Sequence, residues 1–461
     1  MLFSYGFLLL RTLTSYHILN RSDYPVVHPC FKRNCRRMVR VMATPFSASG
    51  SLFPVCCWVC GETSGIFSPL EPVRCPQCGT PMALQPRPRP VPEMFQTFPR
   101  SMWDYAPLLP VRDPTCIITL GEGATPLIEA PRLTRRLGFT EVRIKNESAN
   151  PTGSFKDRQV SVGLTCAREA GYRTAAVVSS GNVGVAAAAY CARAGMRAVL
   201  FMHAHAGTGK IAQAAACGAR VFLVDCASPN RVFALCREAC ATFGWAHLST
   251  AGMDVPANVE GARTIAYELW QQYGGNLPDW IVAPVGGGGL LGGIWRGLMD
   301  LKQAGLISQF PRLAGVQAAG CAPLARAQAE NWTPLEALSR PWPNPQTIAG
   351  GIADDILFDA HTVLPGLRAT DGMAITVSDE AIREAAFALA REEGLLAEPT
   401  AAVVFAALRD LPRSAGTRVC CLLTGHGLKD LPFYTSAAEP PVTIPPDFAA
   451  LETVWNALGL C

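Results

Sequence analysis

Long hydrophobic runs are missing from this sequence. No stretch stays apolar over the roughly 20 residues needed to cross a bilayer, which excludes a helical membrane protein. A strong charge excess is missing too. The formal net charge is +4, and residues 1 to 50 hold seven Lys/Arg (Arg11, Arg21, Lys32, Arg33, Arg36, Arg37, Arg40) against one acid, Asp23, which leaves the other 411 residues at about −2. A body so near neutrality lacks the electrostatic footprint of a nucleic-acid binder, and a small molecule is the expected partner. The opening "MLFSYGFLLLRTL" has no basic residue ahead of its apolar stretch, so it makes a poor secretory signal. Residues 1 to 50 read as an extension to the folded body. Met42 is the expected true start, with an Arg-rich, acid-poor organelle transit peptide as the alternative. No short internal repeat is visible, which argues against a solenoid.

Cysteine, in contrast, is plentiful at 18 residues. Most are dispersed through apolar segments such as "AYCARAG", "FALCREAC" and "VCCLL", where small thiols pack well. That usage fits a reducing compartment, the cytoplasm, better than a disulfide framework. Four of them form a pattern. Cys57 and Cys60, then Cys75 and Cys78, make two C-x-x-C pairs separated by fourteen residues, each followed by glycine (Gly61, Gly79). Two such knuckles close a tetrahedral thiolate site, so a zinc-ribbon-like module with a structural zinc is expected over residues 51–84; Cys56 is an alternative to Cys57. Its core is expected to be separate from that of the remaining chain. The Pro-rich run "QPRPRPVPE" reads as a stiff spacer opening a linker over residues 85–118.

From Thr119 onward, β-branched runs alternate with alanine-rich helical stretches: "EVRIKNE", "TAAVVSS", "RAVLFM", "RVFLVD", "WIVAPVGGGG", "RLAGVQAAG" and "RVCCLLTGHG". Such alternation predicts α/β architecture with parallel sheets over residues 119–430, followed by a peripheral tail at 431–461. In these sheets ligands sit beyond the carboxyl ends of the strands, so chemistry is sought in the loops there.

Four of those loops are unusual. "NPTGSFKDR" combines turn residues with Ser154, a good N-cap for a helix from about Phe155 to Ala170. Lys156 then lies in the first helical turn, where the dipole favours the neutral amine, a nucleophile towards carbonyl groups. "SSGN" places the hydroxyls of Ser179 and Ser180, the Gly181 amide and the Asn182 side chain at a helix N-terminus, a site suited to a carboxylate. Gly286, Gly287, Gly288 and Gly289 precede a helix and let backbone N–H groups close on a phosphate. Thr424 offers a hydroxyl on the glycine turn "TGHG". A carboxylate site, a phosphate cup with no Walker lysine and an amine-bearing lysine are the parts needed for pyridoxal phosphate and an amino-acid substrate.

The ordered segments "LGEGATPL", "NESANPTGSFKDR", "SSGNVGVAAAAYCARAG", "PVGGGGLLGG", "LAREEGLLAEPTAA" and "TGHGLKD" resemble those of fold-type II (tryptophan synthase beta-like) pyridoxal phosphate enzymes, and most closely the threonine synthase-like members. The resemblance spans roughly residues 117 to 430 and implies two parallel-sheet α/β domains; the cysteine module resembles the zinc ribbon of some members. It further implies that Lys156 carries the cofactor and shuttles protons, that Asn182 bonds its 3-hydroxyl, that Gly286 to Gly289 hold its phosphate and that Thr424 contacts the pyridine nitrogen. The implied activity is a lyase or synthase in amino-acid biosynthesis, in the first place O-phosphohomoserine to threonine and phosphate.

Two departures concern the substrate. Where threonine synthases carry Asn-Pro-x-Arg-x-Glu-Gly, this chain reads "DVPANVEGART", with Asn258 in place of the arginine. Where they more often have Gly-Asn-x-Gly-Asn, it has four glycines, as in serine/threonine dehydratases. One expected cation for a phosphorylated substrate is therefore missing. Lys210 or Arg263 are the candidates to replace it, and Asn258→Arg is expected to strengthen phosphate binding. A dehydratase-type ammonia-lyase and a non-catalytic amino-acid-sensing protein stay open as alternatives. A homodimer is the assembly considered, and the role of His426, chemical or structural, is left open.

Overall fold

The computed structural model describes residues 52–86, 88–203, 208–225, 229–436 and 441–458. The expected extension over residues 1 to 50, Met42 included, lies outside them. The strands run in chain order from β1 (Phe53–Cys56), β2 (Thr63–Phe67) and β3 (Ala83–Leu84), through β4 (Leu127–Glu129), β5 (Glu141–Asn146), β6 (Thr174–Val178), β7 (Arg197–His203), β8 (Arg220–Val224) and β9 (Ala246–Leu248), to β10 (Trp280–Pro284), β11 (Arg312–Ala318), β12 (Met373–Val377) and β13 (Arg418–Leu423). They form three sheets, of order β2-β1-β3, β8-β7-β6-β9 and β12-β11-β10-β13-β5-β4. All pairs in the last two are parallel except β4 with β5. The seven predicted runs are all strands; β4 and β9, three residues each, were not foreseen, nor was β12, although Ile375, Thr376 and Val377 carried its signal.

Apolar strands explain the burial. In β10 every residue of Trp280–Pro284 is buried, as a central parallel strand covered on both faces requires. One cluster of Val282, Val316, Val404 and Val419 fills one face of the six-stranded sheet, and another of Ile281, Leu291, Ile294 and Leu422 fills the opposite face. The smaller sheet has its own core, including Val177, Ala187, Leu200 and Leu248. Among the described residues no helix is long and apolar enough to cross a membrane.

One expectation about the amino-terminal part changes and one holds. Residues 92–108 are not a bare spacer: two 3₁₀ turns bury Phe95, Tyr105 and Leu108 in one core of the large sheet and Met102 and Trp103 in a separate cluster. The cysteine module keeps a core of its own, including Phe53, Val55, Val73 and Met82, as expected, but it is docked on the body. Trp58 meets Trp295 edge-on at 6.3 Å, Ala257 N donates to Pro69 O at 2.8 Å, and Arg263 Nη2 donates to Leu84 O at 2.6 Å. The tail ends in the helix Phe448–Ala457, which buries none of its residues.

Candidate active site

The lysine turn is built by its neighbours. Gly153 adopts φ +82°, a conformation glycine takes without cost, and the Asp157 carboxylate reaches back to accept from Thr152 N at 2.6 Å and from the Thr152 hydroxyl. The helix then runs over Lys156–Glu169, starting a residue later than expected, with Phe155 at its N-cap. Ser154 does not cap it, and its hydroxyl is buried without a partner. The reason is a competing strand-like contact: Ser154 bridges Gly425, Phe155 N donates to Thr424 O at 3.0 Å, and His426 N donates to Gly153 O at 3.0 Å. The turns bearing Lys156 and Thr424 are thereby joined. His426 itself accepts from Leu428 N through Nδ1 at 3.1 Å, a structural contact.

Lys156 is half-buried, and its Nζ donates to Gln159 Oε1 at 3.0 Å and lies 4.6 Å from the Phe155 ring centre. Desolvation pushes its pKa down to about 8, while the carboxylates of Asp354, Asp359 and Glu398 pull it upward. Burial, rather than the helix dipole invoked from the sequence, is thus the main cause. Asp359 and Glu398 are buried and Asp354 half-buried: desolvation raises Asp354 and Glu398, and pushes Asp359 up to about 7.

The four glycines follow β10 and lead into the helix Gly289–Gln303, with Gly288 at φ +102°. Side chains are excluded there by close approach. A Cβ on Gly287 would come 2.9 Å from the Phe358 ring, one on Gly288 2.8 Å from Val363, and one on Gly289 2.8 Å from Val259. Gly287 N donates to Asp354 Oδ2 at 2.6 Å, so this cup already binds an anionic group.

Asn182 opens the helix Asn182–Ala194; its Nδ2 donates to Glu398 Oε1 at 2.6 Å, and its Oδ1 is buried without a partner. Ser179 Oγ accepts from Gly181 N at 3.1 Å and from Gly184 N at 3.2 Å, which ties down the turn, while Ser180 is exposed. Thr424 Oγ1 is buried and unpartnered. Asp354, Asp359 and Glu398 tie Lys156 to Asn182 and the glycine cup, and the Phe155 N–Thr424 O bond brings Thr424 to the same region.

Asn258 does not join them. It is fully buried in the helix Ala257–Glu260 and wedged against Gly163, seven residues and about 10 Å along the helix from Lys156. Both of its side-chain polar atoms lack partners. Arg263 is likewise spent, buried in ion pairs with Glu260 and Asp300 at 2.6 and 2.8 Å. Lys210 is different: its partly exposed ammonium lies 3.7 Å from Glu398 Oε2. Sequence reasoning overlooked Glu398, Asp354 and Asp359. Their signal was present as acids set in apolar segments, "LLAEPTAA" and "GIADDILFDA".

The sulfur atoms of Cys57, Cys60, Cys75 and Cys78 lie within 4.8 Å of one another, with 3.5 Å between Cys57 and Cys78 and between Cys60 and Cys75. A tetrahedral zinc with 2.3 Å bonds spaces its thiolates by about 3.8 Å, so this donor set fits the ion. Gly61 N donates to Cys57 O at 3.0 Å and Gly79 N to Cys75 O at 2.9 Å, both glycines having positive φ, which forms the two knuckles. Cys57 belongs to this group, and Cys56 lies outside it.

A surface hollow lined by Asn276, Asp279, Ile307, Phe310 and Arg312 lies at the amino ends of β10 and β11, opposite the chemistry-bearing loops.

The family described as pyridoxal-phosphate dependent enzyme matches residues 118–425. Threonine synthase of Methanocaldococcus jannaschii is 36% identical over 77% of this chain and 87% of its own length, and that of Synechocystis sp. is 35% identical over 77% and 89%. Among solved structures, a threonine deaminase from T.th. aligns with a TM-score of 0.56 at 27% identity, covering 66% of this chain and 92% of that one. Maize serine racemase aligns with a TM-score of 0.58 at 21% identity over 68% and 91%, a likeness of fold.

Proposed function

The chain belongs to the pyridoxal-phosphate dependent enzymes, grouping there with the threonine synthases, and on that premise we propose that it converts O-phosphohomoserine to threonine and phosphate. The observation that carries the reading is the 36% identity to a threonine synthase over 87% of that enzyme's length. The local chemistry agrees. Ser154 Oγ, Gln159 Nε2, Asn182 Oδ1 and Thr424 Oγ1 are buried polar atoms without partners around Lys156, and the adjacent cup excludes side chains, as a polar, phosphate-bearing cofactor needs. In this reading Lys156 holds pyridoxal phosphate, Gly286 to Gly289 take its phosphate, Asn182 its 3-hydroxyl and Thr424 its ring nitrogen. The bound cofactor supplies a ring that spreads negative charge from the substrate's carbon atoms.

The chain's own groups supply the remaining chemistry. Lys156 Nζ, neutral above about pH 8, takes a proton from the substrate and returns it. Gln159 aims that amine. Glu398 fixes the amide of Asn182. Thr424, a neutral hydroxyl whose Oγ1 is buried without a partner, would leave the ring nitrogen of a bound cofactor largely unprotonated, which would suit elimination and replacement. Ser180, Gly181 and the start of the helix Asn182–Ala194 receive the substrate's carboxylate, with Ser179 holding that turn in shape. Asn258 has no part in this site. A structural zinc on Cys57, Cys60, Cys75 and Cys78, a cytoplasmic location and a homodimer complete the proposal; buried thiols such as Cys420 and Cys421, packed as small apolar groups, suit a reducing compartment.

A dehydratase reading draws on the four-glycine loop. Product analysis separates the two. Supplied with O-phosphohomoserine, the enzyme should release phosphate and threonine in equal amounts. Formation of a 2-oxo acid from threonine, with no phosphate release from O-phosphohomoserine, would replace the synthase by a dehydratase.

A further inference from the structure

A substrate phosphate dianion needs a cation, and the cations near this cleft differ in how far they are committed. Arg158 is fully buried between Glu147 and Glu268, at 2.7 and 2.6 Å, and Lys145 pairs with Glu268 at 2.6 Å. Arg263 and Arg296 are held by Glu260 and Asp300 beneath the surface. Lys429 Nζ donates to Thr152 O at 2.5 Å. Lys156 is reserved for the cofactor.

Lys210 is less committed. Its ammonium is partly exposed, and its ion pair with Glu398 Oε2, at 3.7 Å, is longer than a hydrogen bond. It stands in the first turn of the helix Thr208–Ala216, whose dipole adds positive potential at that end. Glu398 locates it over the reaction site, because the same carboxylate accepts from Asn182 Nδ2 at 2.6 Å and lies so close to Gly425 that a Cβ there would come within 2.0 Å of Oε1.

Resting on the threonine synthase reading, we infer that Lys210 is the specificity-determining residue that binds the substrate's phosphate, and that Glu398 holds its ammonium in place until the phosphate arrives. Lys210 thereby supplies the cation that position 258, buried against Gly163 and outside the site, does not. As a compact point charge on a flexible stem, it binds phosphate without the bidentate geometry that an arginine provides.

The test uses the holoenzyme with O-phosphohomoserine as substrate and two competitive inhibitors: inorganic phosphate, which carries only the anion, and homoserine, which lacks it. In Lys210→Met, KM for O-phosphohomoserine and Ki for phosphate should both rise about ten- to hundredfold. Ki for homoserine should stay near its wild-type value, and Lys210→Arg should recover most of the loss. An unchanged phosphate Ki, or a parallel weakening of phosphate and homoserine, overturns the assignment. A wild-type enzyme that leaves O-phosphohomoserine unconsumed defeats the synthase reading itself.

Discussion

Phe155 N lies 3.0 Å from Thr424 O, and through that hydrogen bond the turn carrying Lys156 and the loop after β13 become one piece. Lysine and threonine come from segments about 270 residues apart in the chain, yet no side chain is needed to set their relative position. The Ser154–Gly425 bridge and the bond from His426 N to Gly153 O extend the same contact. A cofactor held between Lys156 and Thr424 would therefore meet a pre-formed frame, with little ordering left to be done on binding.

The pH dependence of cofactor capture follows from Lys156. Burial lowers its pKa to about 8 from the ordinary 10.5, and attack on the cofactor's aldehyde requires the neutral amine. The neutral fraction grows as pH rises towards 8 and saturates above it. Uptake of pyridoxal phosphate by the cofactor-stripped protein should accelerate by about tenfold per pH unit below 8 and then level off. A rate still climbing beyond pH 10 would mark an ordinary, solvated lysine.

Gly288→Ala tests the phosphate cup. The substitution places a Cβ at φ +102° and 2.8 Å from Val363 Cγ2, with backbone strain on the order of 1–2 kcal/mol before any contact is counted. Cofactor affinity measured by equilibrium dialysis should fall about tenfold or more. Wild-type affinity in this variant would place the phosphate elsewhere.

The segments legible in the sequence are those where backbone chemistry is local. Glycines at 286–289, turn residues around Gly153 and the C-x-x-C spacing each announce a geometry that needs few partners. What depends on distant packing was not legible. Ser154 has the composition of an N-cap, but Gly425 competes for its backbone and the cap moves to Phe155. Asn258 aligns with a substrate-binding arginine, whereas its side chain points into the contact with Gly163. Trp58 reads as a ribbon residue, and its docking on Trp295 cannot be seen from either segment alone.

That docking alters what metal loss should do. Cys60→Ser should abolish zinc binding and, because Trp58, Pro69 and Leu84 all touch the body, lower the melting temperature of the whole chain by about 5 °C or more. Calorimetry and metal analysis on Cys60→Ser and Cys78→Ser check this. Full zinc in both variants would remove the metal site. Zinc loss with an unchanged body transition would show that the docking contacts contribute little and that the two separate cores unfold independently.

Asn258→Arg now carries the opposite expectation from the sequence alignment. A guanidinium forced against Gly163 has no room, and a buried charge left without a partner costs about 3–5 kcal/mol. Urea unfolding should show that loss. A stable variant with a lower KM for O-phosphohomoserine would return position 258 to the substrate site.

Reduction of the purified holoprotein with borohydride, followed by peptide mapping, tests the central claim most directly. Lys156 starts its helix beside the glycine cup and Thr424, with a neutral amine within reach at ordinary pH. The stable pyridoxyl label should sit on the peptide containing Lys156, and Lys156→Ala should carry no label while keeping the wild-type fold by circular dichroism. A label on another lysine, or none on a protein that holds pyridoxal phosphate, would contradict the account.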